Sequence, residues 1–187
     1  MALVPTKAES MSVRDAAPRL RLEPWSAGDL ALLRLLNAPE MTEHLGGPES
    51  EQKLLERQQK YVVGGPAGSG GMFTVVLLDE ERGVGSIGYW ERESDGETVY
   101  ETGWAVLPEC QGRGIAAEAT LAVITLAAGE RRHRYLHAYP SVDNPASNAI
   151  CRKVGFELLG EQDFEYPPGH PMRCNDWRFD LRSILPT

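Results

Sequence analysis

The spacing of apolar positions changes period part-way along the chain. Leu20 and Leu22 alternate with Arg21 and Glu23 ahead of Pro24 and Trp25, the pattern of a short strand with one apolar face. Ser26 stands where a helix cap belongs, before Asp29 and the apolar run over 30–36. Over 48–63, Leu54, Leu55 and Tyr61 sit among many charges and predict a second helix, which the glycine-rich run 64–71 ends as a loop. Beyond it the texture is that of strands. An apolar, β-branched run covers 72–78, and further strands are predicted at 84–90 and 98–107, with turns at 79–83 and 92–96. Three strands with short connections predict an antiparallel meander. After Pro108 come a glycine-rich corner, a helix over 114–128 stopped by Gly129, a strand over 135–139 and a helix over 143–154 ended by Gly155. In that helix Ile115, Ala119, Ala122, Val123, Leu126 and Ala127 lie on or near one stripe. Closing strands are expected at 156–159 and 176–181, with a loop over 160–175 that carries Glu161, Asp163, Glu165 and Tyr166. The sum is a mixed α/β (α+β) domain, antiparallel in one half and β-α-β-α-β in the other.

Residues 1–18 mix small, charged and proline residues and predict a poorly ordered lead-in, which leaves 19–187 as one domain. With 42% hydrophobic and 25% charged residues, a chain of 187 residues buries one core without staples. No apolar stretch is long enough to cross a bilayer, and the first twenty residues hold no apolar run, so neither a membrane span nor a secretory signal is expected. Cys110, Cys151 and Cys174 are odd in number and far apart, which argues against a disulfide framework and a CxxC metal site and fits a reducing cytoplasm. His44, His133, His137 and His170 lack ligand spacing, so no metal is expected. The net charge of −8 repels phosphate backbones and disfavours nucleic acid as a partner. The same field attracts a cationic acceptor such as a protonated amine, although solubility alone accounts for an acidic chain.

The sharpest feature is Gln111-Gly112-Arg113-Gly114-Ile115-Ala116, between a strand and a helix. The first amides of a helix have no internal partner, the helix dipole adds positive character, and glycine lets an anion approach the backbone. A bare strand-to-helix turn that needs glycine is one reading. A dinucleotide fingerprint is a second, since Gly112, Gly114 and Ala117 satisfy G-x-G-x-x-A. It fits poorly, because the acidic residue expected about twenty positions on is replaced by the run Arg131-Arg132-His133-Arg134. A pyrophosphate-binding loop is the third.

At these residues the sequence resembles the GNAT acetyltransferases, whose signature Gln/Arg-x-x-Gly-x-Gly/Ala is met by Gln111, Gly114 and Ala116. The stretch 103–119 is similar to the branch containing the RimJ/RimL type ribosomal-protein N-terminal acetyltransferases. Asn144, Ser147, Lys153, Gly155 and Phe156 match that branch's second pattern, Asn-x-x-Ser-x-x-x-x-x-Lys-x-Gly-Phe. The resemblance covers roughly 19–182, with its specificity in 101–119 and 144–156. It implies a central, mixed but mostly antiparallel sheet of about seven strands, flanked by about four helices and splayed at the cofactor site. It implies acetyl-CoA as co-substrate, no metal, and an amine acceptor, either a small molecule or a protein N-terminus, in a monomer or a homodimer. The backbone of Trp104, Ala105 and Val106 then faces the pantetheine arm, the amides of Gln111, Gly112, Arg113, Gly114, Ile115 and Ala116 hold the pyrophosphate, and Asn144 bonds the arm while capping its helix.

Ser147, one helical turn from Asn144, is the candidate to protonate the leaving thiolate; a plain helix-surface serine is the alternative. Many relatives carry a tyrosine seven residues after this asparagine as general acid. This chain has Cys151 there, and buried cysteine is more often inert packing. An alkyl amine must lose a proton before it attacks a thioester. Glu101, on the strand face shared with Gly103 and Ala105, is the candidate base. An ion pair with Arg92 or another strand neighbour is the competing reading for Glu101, and His137 is a weaker base candidate. Direct attack within a ternary complex needs no acyl-enzyme. The alternative in a different class is a non-catalytic acetyl-CoA sensor.

Overall fold

The computed structural model describes residues 18–64, 70–94, 96–166, 169 and 171–184. The lead-in expected over 1–18 falls, except for Pro18, outside the described residues, as do 65–69 of the glycine-rich loop and His170. Seven strands form one sheet in the order β1-β2-β3-β4-β5-β7-β6. β1 (Leu20–Pro24), β2 (Gly70–Leu77), β3 (Arg82–Ser94) and β4 (Glu97–Val106) are antiparallel neighbours, as the meander predicts. β5 (Tyr135–Ala138) joins β4 in parallel, and β6 (Glu157–Glu165) and β7 (Pro171–Asp180) complete the far side as an antiparallel pair.

Among the described residues five α-helices accompany the sheet, one more than expected, because Pro39 opens a four-residue turn, α2 (Pro39–Thr42). α1 (Leu30–Leu36) follows the cap foreseen at Ser26. The Ser26 hydroxyl accepts from Gly28 N–H at 3.2 Å while Asp29 accepts from Ser26 N–H at 2.7 Å. α3 (Glu51–Val63) starts on a Ser50 cap. α4 (Ile115–Glu130) runs through Gly129 rather than stopping there; the turn to left-handed backbone comes at Arg131, φ 54°. α5 (Pro145–Val154) ends at Gly155, φ 97°, as expected.

Two differences have a common cause. β3 continues to Ser94, and the segment over 160–175 is most of a hairpin, not a loop. Both stretches are rich in charge because they lie at a sheet edge or beyond the covering helices, so a strand there has no apolar signature. β6 is exposed along nearly its whole length.

The apolar interior lies on both faces of the sheet. On one, Ile87, Tyr100 and Leu136 pack against Ile115, Val123, Ile124 and Ala127 of α4 and Cys151 of α5. Leu126, assigned to that stripe from its spacing, is 43% exposed instead, because α4 touches the sheet through a narrower arc centred on Val123. On the other face Trp25, Leu32, Leu33, Leu36 and Leu54 form a smaller cluster under β2 and β3. Each buried leucine contributes roughly 2 kcal/mol. Among the described residues, this cluster leaves the middle of the second face, over β4 and β5, without a covering helix.

Candidate active site

β3 pairs with β4 along the whole of β4, but β5 pairs with it only at Tyr100↔Leu136 and Glu101↔His137. β5 ends at Ala138, so residues 102–106 of β4 face a widening gap. Leu107 N–H donates to Val84 C=O at 2.9 Å. Antiparallel ladders alternate, so the backbone groups of Gly103 and Ala105 turn toward β3 and those of Thr102, Trp104 and Val106 toward the gap. Of the three residues expected to offer their backbone, Ala105 is therefore on the wrong half of the alternation, and Thr102 takes its place.

The gap ends on the glycine corner. Gln111 braces it by donating from Nε2 to Val106 C=O at 2.9 Å. Gly112 and Gly114 have φ of 73° and 80°, a left-handed conformation that side chains disfavour. Gly114 is the N-cap of α4 and supplies no side-chain cap; the helix bonding begins with Glu118 N–H to Gly114 C=O. The amides of Ile115, Ala116 and Ala117 are thus left without helical acceptors. A Cβ at Gly112 would meet nothing within 4 Å, and one at Gly114 would meet Lys153 Nζ at 3.7 Å. The corner is an open concavity with a cation delivered from α5. Arg113, the cation foreseen here, instead donates to Glu80 at 3.1 Å and, with Arg82, holds the Glu80 carboxyl below its ordinary value.

Across the gap, Asn144 caps α5 by accepting from Ser147 N–H at 3.0 Å. Neither Asn144 Nδ2 nor Ser147 Oγ has a protein partner among the described residues. Asn148, absent from the expected site, fixes this end of the helix. It is buried; its Nδ2 donates to Ser141 and Asn144 carbonyls at 2.8 Å each, and its Oδ1 accepts from Trp177 Nε1 at 2.8 Å and Asn175 Nδ2 at 2.7 Å. Cys151 is wholly buried, and burial pushes its thiol up to about 12. It is packing, not an acid within reach of a ligand.

The uncovered face of β4 carries the acid–base candidates. Glu101 stands at the last register pair before the strands part. Its Oε2 accepts from Arg92 Nη1 at 2.7 Å, and its side chain is 14% exposed. The Arg92 guanidinium lies over the Tyr139 and Phe164 rings, 4.7 and 4.5 Å from their centroids. Opposite Glu101 in the ladder, Trp90 is 39% exposed and lays its ring against Gly103, where a Cβ would meet it at 3.3 Å. Arg57 of α3 donates to Tyr166 Oη at 2.8 Å and to Glu49 at 2.7 Å, tying the tip of the β6–β7 hairpin across this face. Phe164 and Tyr166 were legible as an apolar alternation with Asp163 and Glu165 inside the segment read as a loop.

Residues 19–157 match the family model described as the acetyltransferase (GNAT) domain. The chain belongs to the GNAT acetyltransferase family. The "Uncharacterized N-acetyltransferase YnaD" of Bacillus subtilis (strain 168) is 31% identical over 88 residues, 47% of this chain, and the match spans about half of that relative, 51%. Two solved structures share the fold at low identity. The acetyltransferase that modifies the N-terminal serine of ribosomal protein L7/L12 from Salmonella typhimurium aligns with TM-score 0.70 and 20% identity, over 86% of this chain and 94% of that one. Spermidine N-acetyltransferase from Vibrio cholerae, in complex with CoA and spermine, aligns with TM-score 0.70 and 18% identity, over 87% and 96%.

As a GNAT domain the chain falls in a class of acyl-CoA-dependent acyltransferases, and its residues fit a coenzyme A thioester on two counts. The β4 edge offers unpaired backbone groups at the Thr102 carbonyl and at Trp104, and the corner beyond it offers free amides, Cβ-free space and Lys153. Among the described residues no group of three or more His, Cys, Asp or Glu could hold a metal, and no helix is long and apolar enough to cross a membrane.

Proposed function

We propose that the protein transfers the acetyl group of acetyl-CoA to a primary amine by direct attack within a ternary complex, in the cytoplasm. The observation that carries this reading is the continuity of the open β4 edge with the uncapped start of α4. One end suits an extended amide-bearing arm and the other a diphosphate. Thr102 and Trp104 hydrogen-bond the arm, the amides from Gly112 to Ala116 and the Lys153 ammonium hold the diphosphate, and Asn144 Nδ2 reaches the arm from α5. Acetyl-CoA supplies the thioester that is attacked. Glu101 takes the proton of the acceptor ammonium, and Ser147 Oγ gives one to the departing sulfur and regains it from the acylated nitrogen. The acceptor enters over Trp90, beneath the Arg57–Tyr166 tie. The fold neighbours act on a protein N-terminus in one case and on spermidine in the other, and the RimJ/RimL-like pattern over 103–119 favours an acceptor in that range, a peptide N-terminal amine or a small polyamine.

Thiol release from acetyl-CoA, measured against a panel of N-terminal peptides, polyamines and amino compounds, tests the reading. Turnover with any of them is the expected result. A non-catalytic acetyl-CoA sensor is the second reading, favoured by the Arg92 guanidinium already bound to Glu101. Calorimetric binding of coenzyme A with no thiol release across the panel would establish it.

A further inference from the structure

The uncovered face holds a second acid–base pair that the scheme above does not use. His137 is 5% exposed, and its Nδ1 lies 2.7 Å from Asp176 Oδ1. A carboxylate accepts only, so this contact puts a proton on Nδ1, and in the neutral ring Nε2 then carries the lone pair. Nε2 has no protein partner among the described residues. His137 is also the register partner of Glu101, and partners in a parallel ladder leave the sheet on the same face, about 5 Å apart. The two groups are thus neighbours on adjacent strands.

A cavity of about 190 Å³ opens on the side of His137 away from the β4 gap, lined by His137 and Asp176 with Glu97, Val99, Tyr135 and Leu159. Glu101 itself is poorly placed to exchange protons with water. One oxygen is held by Arg92, which is in turn covered by Tyr139 and Phe164, and its remaining open side is where the acceptor arrives. A base that is enclosed once substrate binds needs an exit for the proton it has taken. A buried imidazole–carboxylate pair is not required for stability, because apolar residues of similar volume serve a core as well.

Resting on the acetyl-transfer reading, we propose that His137, oriented by Asp176, drains the proton from Glu101 into this cavity. The ammonium N–H bond breaks and the proton joins a Glu101 oxygen, leaving a neutral amine. The carboxyl O–H bond then breaks and the proton joins His137 Nε2, which restores the Glu101 carboxylate and makes an imidazolium whose Nδ1–H stays on Asp176. The Nε2 proton leaves to water in the cavity, and nothing is oxidised or reduced. The ionisable groups that face His137 are Glu97 and Glu101 of β4, Arg92 of β3, Cys174, Asp176 and Arg178 of β7, Tyr135 of its own strand and Tyr139 just beyond that strand's end; β6 adds the apolar Leu159. Burial pushes the Cys174 thiol up to about 11, so it stays neutral along this path at physiological pH.

Two measurements on the full chain test the relay. Imidazole NMR titration compares His137 in the native protein and in Glu101→Gln. Coupled sites shift one another, so the His137 midpoint is expected to move by roughly half a pH unit or more. An unmoved midpoint overturns the coupling, and this holds whether or not the protein turns over. In steady-state kinetics His137→Ala is expected to lower kcat by about 10- to 100-fold with KM for acetyl-CoA unchanged. Added imidazole should restore much of the loss, and Asp176→Asn should move the acid limb of the pH profile. A kcat within twofold of native, or a loss that imidazole leaves untouched, sinks the relay. Absence of thiol release by the native protein removes the acetyl-transfer reading instead, and the NMR result then decides whether the pair is coupled.

Discussion

The glycine corner gives the clearest separation of fold from function. At Gly112, with φ 73°, an alanine methyl meets no atom within 4 Å, so Gly112→Ala adds only left-handed strain, about 1 kcal/mol. Gly114→Ala, at φ 80°, adds similar strain and ordinary contacts to Lys153 and Pro18. The strain exists with and without ligand and therefore cancels in a dissociation constant. What does not cancel is the methyl standing where a phosphate oxygen must approach the amides. A hydrogen bond to a charged group contributes about 1.5–3 kcal/mol, so loss of one weakens coenzyme A binding by roughly 10- to 100-fold. Gly129→Ala is the control. It lies inside α4 in open space, and it is expected to raise stability by about 0.5–1 kcal/mol with no effect on binding. Urea denaturation reads the first quantity and calorimetry with coenzyme A the second. If Gly112→Ala and Gly114→Ala lose stability yet bind coenzyme A within twofold of native, the corner is only a turn and the diphosphate assignment is wrong.

Other expectations concern groups around the site. Cys151→Ala should leave kcat within about threefold of native, since a buried thiol raised to about 12 gives up no proton near neutrality; a loss of 100-fold or more would make the thiol the general acid after all. Asn148→Ala strands the buried Trp177 indole N–H and the Asn175 amide and should cost about 2–4 kcal/mol in urea denaturation, with Asn148→Asp intermediate. Arg57 hydrogen-bonds Glu49 and holds its carboxyl below its ordinary 4.5. A depressed folded-state value contributes stability above the unfolded value and loses it as pH falls through the folded one. Denaturation midpoints of native protein and Glu49→Gln should therefore separate above about pH 5 and converge toward pH 3. Parallel curves across that range would mean that the ion pair contributes nothing.

Legibility followed solvent exposure. The meander, the corner and α5 were readable because Val75, Ile87 and Val123 sit on faces whose period matches their element, and because Gly112, Gly114, Gly155 and Asn144 are positions where backbone geometry dictates the residue. The β6–β7 hairpin was not, since Glu157, Glu161, Asp163 and Glu165 occupy an edge that none of the described residues covers, and an uncovered strand keeps no apolar rhythm. Glu101 illustrates the limit of single-residue reasoning. Its place on β4 and the competing pairing with Arg92 both followed from strand alternation. The rings of Tyr139 and Phe164 that clamp Arg92 come from segments 38 and 63 positions downstream of Glu101, and no local pattern links them to it. The place of Lys153 at the corner and the bonding of Asn148 were hidden for the same reason, because what they meet lies on other elements.

The central seam also has a mechanical consequence. A four-strand plate and a three-strand plate meet through two register pairs, so the weakest line of the domain crosses its middle rather than its rim. A ligand hydrogen-bonded along the β4 gap would lace that line shut and stiffen both plates at once. For such an architecture, loading of a co-substrate and cohesion of the sheet would be one variable.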